Sequence, residues 1–309
     1  MNNEQTVNVG FIGLGLMGAP IAARIRQAGY PLRTIARHRI EAEKNGYDML
    51  SSVADLAAAS DIVFTCLPTP EASLDVYLGT DGLLKRAKTG SLFIELSTID
   101  PKTAGKIHAA CEAKQRAFLD APVSGGPGGA RTGALSIMVG GKEADFERAK
   151  PLFSTFGTKC FHMGEAGMGS ATKMCNQMLT GVTHALVAEA MVLGAKMGLD
   201  ASRLYEVLRV SSGQSNSLDR AVPKFIIPRT FDAAFALDGI YKDLECITRS
   251  GKEYGVRLLF AAVAQQLYEE ARNADLGKKD VASVFLTVER AAGLTGTTGS
   301  SQKADALNG

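Results

Sequence analysis

The chain has 309 residues, 46% apolar and 21% charged, which is room for two domains because single cores usually stop growing at roughly 250–300 residues. A formal net charge of +2, with no zinc-ligand spacing and no interleaved aromatic and basic residues, gives a nucleic-acid role no support. Five cysteines, at 66, 111, 160, 175 and 246, have no CxxC or CxxH spacing and are read as reduced, mostly buried thiols of a cytoplasmic protein.

The first element is the apolar run VNVGFI at 7–12. No basic region precedes it, so it is read as a strand rather than a signal peptide. Gly13-Leu14-Gly15-Leu16-Met17-Gly18 follows at once, and helical composition runs from 19 to 27. This order of strand, glycine turn and helix suits a dinucleotide. Gly13 allows the tight turn, Gly15 lets backbone approach the pyrophosphate, and Gly18 permits close packing of helix on sheet. The helix N-terminus then offers amide N–H groups to the phosphates.

A second strand is expected at 32–36. An acidic residue near its end would hold the ribose hydroxyls of NAD, but the sequence there is Arg37-His38-Arg39, with no carboxylate until Glu41. Arginines suit a 2′-phosphate, so NADP(H) is favoured over NAD(H), with Arg37 the first candidate and Arg39 behind it. Further strands are expected at 61–67, 91–96, 117–120 and 136–139, with helical segments between several of them, which indicates a mostly parallel sheet. Ligands bind beyond the carboxyl ends of such strands, so Leu67, Pro68, Ser97 and Thr98 are candidate cofactor contacts.

The segment Asp120-Ala121-Pro122-Val123-Ser124-Gly125-Gly126-Pro127-Gly128-Gly129 reads as a loop. Its glycine N–H groups and the Ser124 hydroxyl suit a carboxylate; a rigid connector is the alternative. A second glycine-rich piece, 164–169, precedes a long helix expected from 170 to 197. Apolar residues occupy nearly all its sides, so burial all round is expected, with a polar seam of Lys173, Asn176, Gln177, Thr180 and His184 on one face. An ammonium is rarely buried without a charged partner or a task, which puts Lys173 in a cleft. His184 is read as a packed, hydrogen-bonded core residue. The stretch is broken by charged and amide residues and is read as no membrane span.

Beyond residue 200 only helices are expected. Asp200 caps the first, Pro223 and Pro228 bracket a turn, and three more run over 238–251, 259–271 and 279–291, with Lys242, Glu245 and Arg249 on one solvated face. The tail 296–309 is rich in Gly, Ser and Thr and is expected to be mobile.

Together these pieces resemble the β-hydroxyacid dehydrogenases, relatives of 3-hydroxyisobutyrate dehydrogenase and tartronate semialdehyde reductase. The resemblance covers about residues 7–290 and rests on FIGLGLMGAPIA at 11–22, DAPVSGGPGGARTGALSIMVGG at 120–141, GMGSATKMCNQ at 167–177 and Lys242-Asp243. It implies an α/β fold: a Rossmann-type doubly wound domain (1–166), then a long interdomain helix opening an all-helical substrate and oligomerisation domain (167–295). It implies Lys173 as catalytic lysine and Ser124, Gly125 and Gly126 as a carboxylate clamp. Thr98 and Lys242 would meet nicotinamide or substrate, and Arg37 falls where NADP-using members often carry arginine. A homodimer or homotetramer is expected. In oxidation the substrate hydroxyl would give its proton toward Lys173 while its carbon gives hydride to nicotinamide C4, with Asn176 or Gln177 positioning the hydroxyl and no metal required.

Many members carry Asn four residues after the lysine, where this chain has Gln177. That is similar to the threonate and related sugar-acid dehydrogenases, so a sugar-acid 2-dehydrogenase competes with a short hydroxy acid or semialdehyde enzyme. Two rival readings stand behind these: an imine or carbonyl reductase on the same scaffold, and a non-catalytic dinucleotide-binding protein.

Overall fold

Six short strands form one parallel sheet in the computed structural model, which describes residues 7–35, 42–43 and 45–294. Arg37, His38, Arg39 and Glu41 lie outside the described residues, as does the tail 296–309. The strands are β1 (Val9–Ile12), β2 (Leu32–Ile35), β3 (Asp48–Met49), β4 (Ile62–Thr65), β5 (Leu92–Glu95) and β6 (Ala117–Asp120), in the order β3-β2-β1-β4-β5-β6. The order reverses between β1 and β4, which opens a crevice at the strands' carboxyl ends. β1, β4 and β5 are buried on both faces, as their sequences VGFI, IVFT and LFIE require. Phe11, Phe64, Phe153 and Phe156 pack on one side of the sheet, and Tyr77, Phe93 and Phe118 on the other. Each such ring contributes about 1.5–3 kcal/mol through burial.

The helices between strands start on recognisable signals. α1 (Gly18–Gln27) emerges from the glycine turn. α2 (Val53–Ala59), α3 (Pro70–Leu78) and α4 (Pro101–Ala113) are capped by Ser52, Thr69 and Asp100, which accept the amides of Asp55, Ala72 and Thr103. Proline stands first in α3 and α4, where its missing N–H costs nothing.

A second sheet follows: β7 (Val123–Ser124) runs antiparallel to β8 (Leu135–Val139), which is parallel to β9 (Gly157–His162). Here the structure corrects the expectation of a loop at 120–129. Val123 and Ser124 are strand residues, and α5 (Gly126–Thr132) begins two residues later. The Gly129 N–H is used inside that helix, donating to the Gly125 carbonyl at 3.2 Å, so the run of glycines does not present a continuous row of donors. Only Gly125 (φ +133°) and Gly126 (φ +64°) need glycine's freedom here. α6 (Glu143–Phe153) joins β8 to β9, with Glu143 and Asp145 in its first turn, where the helix dipole favours acids.

The longest element is α7 (Met168–Lys196). The chain divides into two compact units, Met1–Cys175 and Asn176–Gly309, and the division falls within this helix. The start of α7 is pinned in the first unit. The Asp120 carboxylate accepts the Gly167 and Ser170 amides at 2.7 and 2.6 Å, and a Cβ at Gly169 would meet the Asp120 and Met138 carbonyl oxygens at 2.4 Å. Burial all round is not what α7 shows. Leu179, Leu186 and Leu193 are 66%, 56% and 62% exposed, while Lys173, Gln177 and His184 are buried. The apolar stripe, spaced by seven residues, faces outward because the polar seam turns inward to its hydrogen-bond partners. Cys175 is likewise exposed and Cys66 and Cys160 half-buried, so only Cys111 and Cys246 match the expectation of buried thiols; all five are free.

The second unit continues with α8 (Ala201–Leu208), α9 (Asn216–Ala221), α10 (Leu237–Glu253), α11 (Leu259–Asn273) and α12 (Val284–Ala291). Asp200 caps α8 through the Arg203 amide, as expected. The proline region differs from its reading: Pro223 sits within a π-helical segment, Val222–Ile226, that prolongs α9, and the turn comes after it. The expected last helix is split, with a 3₁₀ turn at Val281–Ser283 before α12. Asp280 caps the 3₁₀ turn. Its buried carboxylate accepts both terminal nitrogens of Arg220, at 2.9 and 2.6 Å, and the amides of Ala234, Phe235 and Ala282. A second bidentate pair joins Arg229 to the buried Glu289 at 2.8 Å.

Candidate active site

The glycine turn has the local geometry its sequence requires. Gly13 takes φ +98°, and a Cβ there would meet the Cys66 carbonyl oxygen at 2.1 Å. A Cβ at Gly18 would meet the Gly13 oxygen at 1.8 Å, so helix and turn close on each other only without side chains. A Cβ at Gly15 would meet nothing within 4 Å: this backbone faces open space. No side chain caps α1 at Met17 and no acid stands in its first turn. Its N-terminal donors therefore point where an anion can use them. A pyrophosphate fits this cradle. Leu14 and Met17 are half-buried beneath it and Leu16 projects outward.

Leu67 and Pro68 leave the end of β4, and Ser97 and Thr98 leave the end of β5, on the side of the crevice away from β2. The Leu67 amide donates to the Ser97 hydroxyl at 2.6 Å, tying the two turns together.

Ser124 is half-buried at the end of β7, and Gly125 and Gly126 follow it into α5. Lys173 comes to this segment from the second turn of α7. It is 7% exposed, and its Nζ donates to the Val123 carbonyl at 2.9 Å. The sequence separation is fifty residues. The amine is thus fixed beside the backbone that carries Ser124, and the anchor behind it is the Asp120 carboxylate at the start of the same helix. Burial pushes the Asp120 carboxyl above its ordinary range, against the pull of the Gly167 and Ser170 amides.

In the second unit, Asn176 Nδ2 donates to Gln177 Oε1 at 3.0 Å, and Gln177 Nε2 donates to Asp243 Oδ2 at 2.6 Å. Lys242 Nζ lies 3.2 Å from Asp243 Oδ1. Asp243 is 3% exposed and organises both neighbours. Gln177 is engaged at its nitrogen and its oxygen, whereas Asn176 is half-buried. His184 behaves as a core residue, with Nδ1 on the Thr180 carbonyl at 2.9 Å and Nε2 3.4 Å from Arg220. Burial pushes its pKa down to about 4.

Sequence reasoning missed Glu95 and Asp120 as the buried acids of the first unit and Asp243 as the buried acid beside Gln177 in the second. Glu95 and Asp120 each end a strand of the parallel sheet, which is a signal that could have found them; Asp243 was visible only as half of a dipeptide.

Comparison with known proteins gives the family. Residues 8–164 match the NAD binding domain of 6-phosphogluconate dehydrogenase. Residues 167–287 match the family model for the NAD-binding region of NADP-dependent 3-hydroxyisobutyrate dehydrogenase. The chain is 36% identical to 2-(hydroxymethyl)glutarate dehydrogenase of Eubacterium barkeri, over 94% of this chain and 98% of that one. It is 38% identical to the mitochondrial 3-hydroxyisobutyrate dehydrogenase of Rattus norvegicus, over 90% and 85%. The solved structure of Mycobacterium tuberculosis 3-hydroxyisobutyrate dehydrogenase with L-serine superposes with a TM-score of 0.84 at 33% identity, covering 92% of this chain and 99% of that one. The chain therefore belongs to the 3-hydroxyisobutyrate dehydrogenase-like family of β-hydroxyacid dehydrogenases and is an NAD(P)-dependent oxidoreductase of small hydroxy acids.

Proposed function

We propose that the protein interconverts a small hydroxy acid with its oxo acid or semialdehyde using NADP(H), with Lys173 as general acid and base. NADP(H) is favoured because the family model over 167–287 is that of an NADP-dependent enzyme. A bound nicotinamide supplies the hydride chemistry. The chain's own work is to bind, orient and move a proton. The glycine turn 13–18 cradles the pyrophosphate, with Leu67, Pro68 and Thr98 along the remainder of the dinucleotide and Arg37 toward the 2′-phosphate. Ser124, Gly125 and Gly126 hold the substrate carboxylate. Lys173 takes the hydroxyl proton in oxidation and returns one to the carbonyl oxygen in reduction. Asn176 positions that hydroxyl. Gln177, held by Asp243, positions Asn176, and Lys242 closes on the substrate or nicotinamide.

The observation that carries this reading is the Lys173 amine on the Val123 carbonyl, next to Ser124. Its test is Lys173→Ala. Turnover is expected to fall about a thousandfold, within the range for a lost acid–base group, while calorimetry finds NADP(H) affinity within threefold of wild type. Turnover within threefold would overturn the role.

A second reading, oxidation of a sugar acid at C2, is favoured by Gln177 standing where Asn is common. A panel of short hydroxy acids and aldonates, each with NAD and NADP, separates the two by kcat/KM.

The exposed leucines of α7, spaced by seven residues along one helix, make an apolar stripe suited to a second copy of this chain. A homodimer or homotetramer built on it should dissociate on Leu186→Glu, read by light scattering; an unchanged mass would exclude this face.

A further inference from the structure

Glu95 is fully buried, and the proposed chemistry gives it no task. It ends β5, in register with Thr65 on one side and Asp120 on the other. A carboxyl so placed is costly unless its surroundings compensate. Those surroundings are hydroxyls and a backbone amide. Its Oε1 accepts the Ser97 N–H at 2.8 Å, and burial raises its pKa above the ordinary carboxyl range against the opposing pull of the Ser97, Ser73 and Thr65 hydroxyls. Oε2 is buried and makes no hydrogen bond of good geometry among the described residues. Thr65 in turn is fixed by Tyr77, with 2.9 Å between their hydroxyl oxygens.

The consequence lies one step further out. Ser97 is held at its amide by Glu95, and its Oγ accepts the Leu67 N–H at 2.6 Å. One buried carboxyl therefore sets the turn after β5 and, through a single serine, the turn after β4. These turns carry Leu67, Pro68 and Thr98.

We propose that Glu95 is a positioning residue for the dinucleotide, which through Ser97 holds the Leu67–Pro68 and Ser97–Thr98 turns in the shape that receives it. This rests on the reading of those turns as cofactor contacts. The arrangement is that of a preorganised contact layer locked by buried hydrogen bonds behind it. A role in packing alone would lower stability when lost. A positioning role also changes cofactor affinity and is restored by any residue that keeps an acceptor for the Ser97 amide.

The test uses the full-length protein and fluorescence titration with NADPH, alongside KM for the coenzyme, kcat and thermal melting. Glu95→Leu should raise the NADPH Kd about tenfold or more, with kcat at saturating coenzyme within threefold, and Ser97→Ala should raise the Kd likewise. Glu95→Gln, whose amide oxygen can accept the same N–H, should stay within threefold of wild type in Kd. If Glu95→Leu does not fold, Ser97→Ala, which removes one oxygen atom, carries the test. A Kd within twofold of wild type in both Glu95→Leu and Ser97→Ala, even with a lowered melting temperature, overturns the proposal, as does Glu95→Gln binding as weakly as Glu95→Leu. Failure of the wild-type protein to bind NADPH would instead strike the proposed coenzyme reading.

Discussion

The two units bury acids in different ways. In the second unit, Asp280 and Glu289 are buried against arginines, each through two parallel hydrogen bonds. In the first unit, Glu95 and Asp120 are buried against backbone amides and hydroxyls at the carboxyl edge of the sheet. An arginine pair joins distant segments and fixes a helical bundle. An acid on amides fixes the direction of a chain segment, which here means the turns beside the nucleotide crevice and the start of the helix bearing Lys173. The difference teaches that the arginine-paired acids of this protein serve assembly, whereas the acids held by amides and hydroxyls, with Asp243 on Gln177 in the second unit among them, serve aim.

The comparison breaks most readily at Asp280. Asp280→Ala leaves Arg220 unpaired and three amides unsatisfied, so unfolding free energy should fall by about 3–5 kcal/mol. Chemical denaturation followed by circular dichroism measures it, and a loss below about 1 kcal/mol would refute the assembly role.

His184, beside Arg220, offers a pH-dependent probe of the same unit. Its folded-state pKa is pushed down from the ordinary 6.5 to about 4 by burial. Between those values the unfolded chain binds a proton that the folded chain does not, so stability is full above the ordinary value and is lost as pH falls toward the folded one. The effect is on the order of 3 kcal/mol. His184→Gln should flatten stability against pH across that interval; a slope equal to wild type would assign the dependence elsewhere.

Asp120→Asn sharpens the other side. The new NH₂ group must face one of two donors, Gly167 or Ser170, and an unmade buried bond costs about 1–3 kcal/mol. Because the pinned helix carries Lys173, kcat should fall about tenfold while the NADPH Kd holds, since a misplacement of about 1 Å can cost that much rate. Equal loss of stability with unchanged kcat would make Asp120 an assembly acid too.

The smallest effect is expected at Lys85, whose partner Asp81 is on the surface. Lys85→Ala should move the melting temperature by less than about 1 °C, because exposed pairs contribute little; a larger shift would weaken the emphasis on buried acids.

The structure and the sequence agree best where the physics is local. The glycine turn was legible because strand, turn and helix follow each other within a dozen residues and Gly13 and Gly18 are demanded by their neighbours. The inward placing of the Lys173 amine was legible because an ammonium on an otherwise apolar helix needs a reason to be there. The inward turn of the polar seam was not, since a helix with apolar residues on nearly every side does not say which side meets solvent. Nor was the strand at Val123–Ser124, since two residues carry no period and their ladder partners lie in β8.

By itself the sequence determined the parallel sheet, the nucleotide turn, the long helix and the residue types of the candidate site, because these depend on period, conformational freedom and the cost of burying charge. Only the tertiary structure decided which groups compensate that cost. Glu95 on Ser97, Asp120 on the start of α7 and Asp243 on Gln177 are pairings of orientation. The last two span 47 to 66 residues, and hydrogen bonds of that reach exist only once the chain has folded to place donor and acceptor together.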